Sequence, residues 1–420
     1  MRLLHTSDWH LGRSLHGVDL LEHQAAYLDH LVDLARSERV DAVLVAGDVY
    51  DRAVPPVEAV TLLSETLTRL AEVTTVVVTP GNHDSAARLG FGAGLMRPEL
   101  HVRARVDGIA TPVVVTGSDG VAVLVYALPY LDPDVVRREL GGTADAGGSV
   151  TVAREGVERG DLATGEAPGE EGDADDARAP ALARSHEAVL GAAMARVRAD
   201  LAQRAAAGPV RSVVMAHAFV VGGEPSDSER DIRVGGVDHV PAGVFAGVDY
   251  VALGHLHGPQ RVADGVRYSG SPLAYSFSEQ HQRKSTVLVE VTDAGLVGEV
   301  LVAAPVPRRL ADLTGTLDDL LGPAGDAHLD DWLRITVTDA ARPPGMYVRL
   351  KERFPHALVM QHRSSAASGI GGAVAISATR DPLEVAGEFV EHVTGTPATP
   401  GELAALRRAW KRVTAAERSA

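Results

Sequence analysis

"DAVLVAGDVYDR", Asp41 to Arg52, decides how this chain is read. "DAVLVA" reads as a buried strand. It is followed at once by Gly47, Asp48, Asp51 and Arg52. Charge at the rim of a core is costly unless something compensates it, so this turn is a candidate for chemistry. Working outward, "RLLHT" reads as a strand, Leu20 to Ser37 as an amphipathic helix, Val57 to Ala71 as a helix and "TTVVVT" as a strand. "VAVLVYALP" follows, then a helix over Ser185 to Ala207 and the strands "VRSVVMAHA" and "VDYVALGHLH". "STVLVEV" and "VGEVLVA" complete the series. Short apolar runs alternating with helices predict a layered α/β fold with strands covered on both faces.

With 420 residues, there is room for two or three domains. The expected division is 1–305 as the main domain, 306–377 as a small α+β unit and 378–420 as two helices. Within the first, residues 141–182 are Gly-, Ala- and acid-rich with few large apolar side chains, and read as a flexible insertion. The small unit rests on "LRITVTD", a helix over Met346 to Arg353 and "ALVMQHR". The chain has no cysteine, which excludes disulfides, cysteine nucleophiles and thiolate metal sites. No leader pattern is visible, and no apolar run approaches the roughly 18 residues of a membrane span. The expectation is a soluble, cytoplasmic protein with no membrane partner. A net charge of −16 argues against gripping a polyanion over the whole surface, but not against local contact.

Five turns follow strands, and each carries polar groups: "SDWHLG" (Asp8, His10), "GDVYDR" (Asp48, Asp51, Arg52), "GNHDS" (Asn82, His83, Asp84), "AHAF" (His217) and "GHLHG" (His255, His257). In an α/β sheet the carboxyl ends of strands share one edge, where ligands bind, so turns some 250 residues apart can meet. Imidazole and carboxylate together suit Mn, Fe or Zn. Seven candidate ligands are too many for one ion and fit two, with one aspartate bridging. Two metals roughly 3.5–4 Å apart clamp a phosphate for in-line attack. Gly47, Gly81 and Gly254 fit turns where backbone approaches a ligand. Each motif alone has an ordinary reading: a turn, a helix cap or a packed core histidine. All five together, each after a strand, point to a two-metal phosphoester hydrolase.

This set resembles the calcineurin-like metallophosphoesterase superfamily. Within it the chain is similar to the SbcD family, nuclease subunits of the bacterial SbcC–SbcD complex. "MRLLHTSDWHLGRSL", "VDAVLVAGDVYDRAVPP", "GNHDS", "RDIRVGGVDHVPAGVFAGVDYVALGHLHGPQ" and "VRYSGSPLAYSFSE" carry the resemblance. It covers residues 1 to 290 well and is weaker beyond. It implies a layered fold of two mixed sheets flanked by helices, with a small α+β capping domain and C-terminal helices. It also implies two divalent ions, typically Mn²⁺. Asp8, His10, Asp48 and His257 would hold one, and Asp48, Asn82, His217 and His255 the other. His83 would face the scissile phosphate and act as a general acid, oriented by Asp51. Arg52 has two readings, a phosphate contact or a structural ion pair.

The implied activity is 3′-to-5′ exonuclease on duplex ends and endonuclease on single strands or hairpins. An SbcC-type coiled-coil ATPase would be the partner, with a homodimer inside a heterotetramer. The helices Asp381 to Val393 and Gly401 to Glu417 are candidates for docking it. The stripe Leu403, Leu406, Trp410 and Val413 either docks the partner or packs on the chain's own core. Early helices, Leu20 to Ser37 or Val57 to Ala71, are candidates for the dimer contact. The competing functions are a phosphomonoesterase or small-molecule phosphodiesterase of the same superfamily, and a non-catalytic metal-binding scaffold. "RRLAD" near Arg308 and "QHQRK" from Gln280 either touch DNA or form a solvated face. His5 reads as packed in its strand, and His16, His23 and His30 as one side of a helix and its lead-in.

Overall fold

The computed structural model describes residues 1–117, 119–142, 181–230, 239–364, 382–394 and 396–417. Most of the insertion expected at 141–182 lies outside the described residues.

Two six-stranded mixed sheets form the centre. The first runs in the spatial order Gly295–Ala303, Ser285–Thr292, Arg2–Thr6, Ala42–Ala46, Thr75–Thr79, Leu100–Val102. The second runs Gln260–Ala263, Val266–Tyr268, Tyr250–Gly254, Arg211–His217, Ala122–Ala127, Val113–Thr116. Strand alternation explains the layering. Leu3, Ala42, Leu44, Ala46 and Val77 of the first sheet pack against Val125, Val213, Met215 and Ala252 of the second. Leu4, Val43, Val45, Val76 and Val78 point the other way, into a core closed by Leu28, Leu31, Val32, Leu63 and Leu67. Those five come from the helices Leu21–Ser37 and Val57–Ala71. The second sheet's outer face is covered by the helix His186–Ala205 through Val189, Leu190, Ala193 and Val197. The order helix, sheet, sheet, helix is the layered α/β arrangement expected.

Arg2–Thr6, Ala42–Ala46 and Thr75–Thr79 are parallel neighbours. Arg211–His217 and Tyr250–Gly254 are parallel neighbours in the other sheet. Their carboxyl ends lie at one rim, where His217 Nδ1 stands 3.0 Å from the carbonyl oxygen of Ala46 in the facing sheet.

A third, three-stranded sheet runs Leu310–Gly315, Trp332–Val337, Ala357–His362. Leu317, Leu333, Ile335, Leu350 and Phe354 form its core. Residues 1–337 and 344–361 make one compact unit. Leu310 and Trp332 bury themselves with Leu15, Leu20, Leu273 and Phe277. Asp312 and Gln280 exchange hydrogen bonds of 3.0 and 3.1 Å. Residues 306–337 and 344–361 therefore belong to the same compact unit as residues 1–305, although the sequence suggested a break at 305. The second compact unit comprises 338–343 and 362–420. Its helices Pro382–Thr394 and Pro400–Glu417 meet where Leu403 rests against Gly387. Among the described residues no helix is long and apolar enough to cross a membrane.

Candidate metal centre

The five strand-end turns converge. The first two are zipped together by backbone: Asp8 N–H donates to Gly47 O at 3.0 Å, His10 N–H to Asp48 O at 3.0 Å and Leu11 N–H to Val49 O at 2.9 Å. Asp8, His10, Asp48 and His255 adopt φ of +54°, +45°, +49° and +108°. Left-handed backbone at a non-glycine residue costs on the order of 1–3 kcal/mol and gathers at functional sites.

Ligand atoms bound at 2.0–2.2 Å to one ion lie roughly 2.8–3.6 Å from one another. The atoms gathered here have that spacing. His217 Nε2 is 2.9 Å from Asn82 Oδ1, and His255 Nδ1 is 3.2 Å from the same oxygen. His217 Nε2 is 3.4 Å from Asp48 Oδ2. On the other side, His10 Nε2 is 3.1 Å from His257 Nε2 and 3.6 Å from Asp48 Oδ2. Asp8, His10 and His257 present ligand atoms all within 4.8 Å of one another, as do Asp8, Asp48 and His217. Asp48 stands between the two groups. All seven candidate ligands are thus brought together. The donor set, four imidazoles with carboxylates and an amide oxygen, fits borderline divalent cations.

The electrostatics also fit. Burial holds His10 and His255 well below the usual imidazole range, so they are neutral donors. Burial raises Asp8 to about 6, against the pull of His217 and His257. Asp48 stays well below the carboxylate range: burial opposes ionisation, but His217, His10 and His83 outweigh it. Burial would likewise lower His217, yet the Asp48 carboxylate pushes it up to about 9. A proton on His217 thus balances Asp48, and a cation binding there displaces a proton.

His83 lies beside this cluster, 8% exposed, with its ring 4.6 Å from that of His10. Its backbone N–H donates to Asp48 Oδ1 at 2.9 Å. Asp51 does hold its other ring nitrogen, but through the backbone: His83 Nδ1 is 2.7 Å from the Asp51 carbonyl oxygen. The Asp51 carboxylate instead stands 3.8 Å from His10 Nδ1 and 3.5 Å from the Arg13 guanidinium. Arg52 is exposed and forms no ion pair among the described residues.

Several residues of the site were given no role by the sequence reading. Asp84 accepts backbone N–H groups from Val49 (3.0 Å), Tyr50 (2.9 Å) and Gly81 (2.9 Å), clamping the second turn to the third. Burial and the Asp48 charge raise it to about 7. It sat in "GNHDS" beside stronger candidates. Ser228, Glu229, Glu279 and Lys284 surround His257. In "QHQRK", His281 and Arg283 are exposed as a solvated face requires, whereas Lys284 is buried and Gln280 is bonded to Asp312. In "RRLAD", Arg308 and Arg309 pair with Asp330 and Asp331. His5 is a core histidine between Tyr250 and the Leu253 carbonyl. His16 and His23 lie against Phe277 and Trp332. A cleft of about 510 Å³ opens against Asn82 and Tyr130.

Residues 1–128 match the family profile of the calcineurin-like phosphoesterases. Residues 306–394 match the profile described as the type 5 capsule protein repressor C-terminal domain, SbcD_C. Among solved structures, the chain is similar to TT1561 of Thermus thermophilus at 15% identity, covering 71% of this chain and 98% of that one, with a TM-score of 0.34. It is also similar to a dimetal phosphatase from Danio rerio at 12% identity, covering 73% and 99%, with a TM-score of 0.38. The profile matches and the dimetal-compatible cluster identify the chain as a metal-dependent phosphoesterase with a calcineurin-like domain over its first 128 residues and an SbcD-type domain near its C-terminus.

Proposed function

We propose that this protein is a cytoplasmic, Mn²⁺-dependent DNA nuclease subunit that works with an SbcC-type coiled-coil ATPase in DNA repair and recombination. The observation that carries phosphoester chemistry is the seven-residue cluster at coordination spacing. The SbcD-type match over residues 306–394 supports the nuclease branch over a small-molecule phosphatase. Asp8, His10, Asp48 and His257 would hold one ion, and Asp48, Asn82, His217 and His255 the other. Two such ions supply a clamp on the phosphate and the acidity that makes water a nucleophile.

The chain's own contribution centres on His83. The Asp51 carbonyl fixes its Nδ1 as a proton donor, which leaves Nε2 to exchange a proton with substrate. Burial lowers its pKa, with Asp48 and the Asp51 carbonyl opposing, so His83 loses a proton more readily than a free imidazole. That suits transfer to a leaving oxygen. Arg13, stacked 4.9 Å above the Tyr275 ring, holds the Asp51 end of the turn. Arg230 reaches the Asn82 carbonyl at 3.2 Å and, with exposed Arg52, offers local positive charge to a strand. The ATPase would supply most of the DNA-binding surface, consistent with a net charge of −16.

For partner docking, Phe389 and Trp410 of the C-terminal helices are exposed apolar side chains. A homodimer within a heterotetramer would use Val54, Val57, Phe91 and Leu95, all strongly exposed. They flank the point where Arg88 donates to the Ala53 carbonyl at 2.9 Å.

The test uses the full chain with Mn²⁺ and hairpin or single-stranded DNA, beside a phosphomonoester and a His83→Asn variant. Expected is DNA cleavage that is lost in the variant. Monoester turnover with intact DNA would overturn the nuclease reading in favour of a phosphatase.

A further inference from the structure

His257 is gripped at three atoms from three directions. Its backbone N–H donates to Glu229 Oε1 at 2.8 Å. Its backbone carbonyl accepts from the Lys284 ammonium at 2.9 Å. Its ring Nδ1 lies 2.6 Å from Ser228 Oγ, which in turn lies 2.5 Å from Glu279 Oε1. Glu279 also accepts the Tyr275 N–H at 3.1 Å and is paired with Lys284. The Glu279 and Lys284 side chains are 0% and 2% exposed.

The donor inventory leaves one solution. A carboxylate in contact with an ammonium has no proton to give, and Glu279 at 2.5 Å is a nearer and charged acceptor compared with Ser226 Oγ at 3.0 Å, whose own proton goes to Glu229, so the single hydroxyl proton of Ser228 goes to Glu279. The Ser228 oxygen can then only accept at its other side, so His257 Nδ1 carries the proton. The lone pair of the ring is thereby placed on Nε2, the atom 3.1 Å from His10 Nε2. A buried ion pair is weak support for stability, because desolvation offsets its attraction. Here the pair lies one hydroxyl away from a candidate ligand, and ligating histidines are commonly oriented through such partners.

We infer that partly buried Ser228 with buried Glu279 and Lys284 forms a relay that fixes His257 in its Nδ1–H tautomer and presents Nε2 to the metal centre. Ser228 and Glu279 are positioning residues, and this role rests on the two-metal reading above. The neutral sum of the Glu279–Lys284 pair orients the ring without adding charge to a site already rich in carboxylates.

The experiment compares full-length wild type, Ser228→Ala and Ser228→Thr. Mn²⁺ alone is titrated by calorimetry into the metal-free chain. Long-range ¹⁵N–¹H spectra of histidine-labelled, metal-free protein report the tautomer of His257, whose signals are assigned by their loss in His257→Asn. Wild type is expected to bind two ions and show the Nδ1–H tautomer. Ser228→Ala is expected to weaken one site about 10–100-fold, leave the other within about threefold, and shift the ring toward mixed tautomers. Ser228→Thr restores both readouts. Two ions bound at wild-type affinity with an unchanged tautomer in Ser228→Ala overturn the relay. A wild-type chain that binds no Mn²⁺ overturns the two-metal reading itself, and the relay's role with it, which separates that failure from one confined to Ser228.

Discussion

Gly254 has no room for a side chain. A Cβ built there would overlap the carbonyl oxygen of Ala46 in the facing sheet and approach the His217 ring nitrogen at 2.8 Å. Gly81 is similarly closed by Asp48, and Gly47 combines φ of +86° with contact to His217. These glycines let two sheet edges come close enough for their turns to share ligands, and the close approach is to the ligands themselves. Gly254→Ala should cost about 1–3 kcal/mol of unfolding free energy by overpacking and weaken metal binding. Gly94→Ala, where a Cβ meets nothing within 4 Å, should change stability by less than about 0.5 kcal/mol. Chemical denaturation of the two variants checks this, and equal stabilities would contradict the close-approach account.

At the scale of elements, the strands Ala42–Ala46, Arg211–His217 and Tyr250–Gly254 end where the two sheets' rims meet, and candidate ligands sit at or just beyond those ends. The helices follow simpler rules. The helix Pro400–Glu417 begins with a capping box: Thr399 N–H donates to Glu402 Oε2 at 2.8 Å and Glu402 N–H returns to Thr399 Oγ1 at 3.4 Å, with Pro400 at the first helical position. Thr399→Ala removes the cap. Amide exchange in the first turn should rise about fivefold, the equivalent of about 1 kcal/mol for a lost N-cap, while phosphodiester hydrolysis stays unchanged. Unaltered exchange would show that the helix start is held by something else.

For the whole molecule, the division that matters falls after Gln361. Residues up to that point, apart from 338–343, share continuous cores with the site, and the C-terminal helices form their own compact unit. Deleting residues 378–420 should therefore leave Mn²⁺ titration and cleavage of a small phosphodiester within about twofold of wild type, and abolish co-purification with the proposed SbcC-type ATPase. A truncated chain that still binds the ATPase would move the docking surface elsewhere. Because Leu310 and Trp332 are buried against Leu15, Leu20 and Phe277, a cut at residue 305 would instead expose apolar surface of the catalytic unit.

Sequence alone determined the layered fold and the cluster's membership. Alternating apolar runs report strand faces, and Asp-x-His, Gly-Asp-x-x-Asp and His-x-His are local patterns with local chemistry. It also placed the helix Val57–Ala71 within its true bounds. Other features depended on residues distant in the chain, and only the tertiary structure decided them. Lys284 looked like one cation in a polar run until the strand Ser285–Thr292 carried it under His257. The Asp51 carboxylate faces His10 and Arg13, while its backbone carbonyl faces His83. Asp84 became a clamp only when Val49 and Tyr50 brought it their N–H groups. Side-chain type can be read one residue at a time, whereas burial, tautomer and hydrogen-bond partner are properties of the packed neighbourhood.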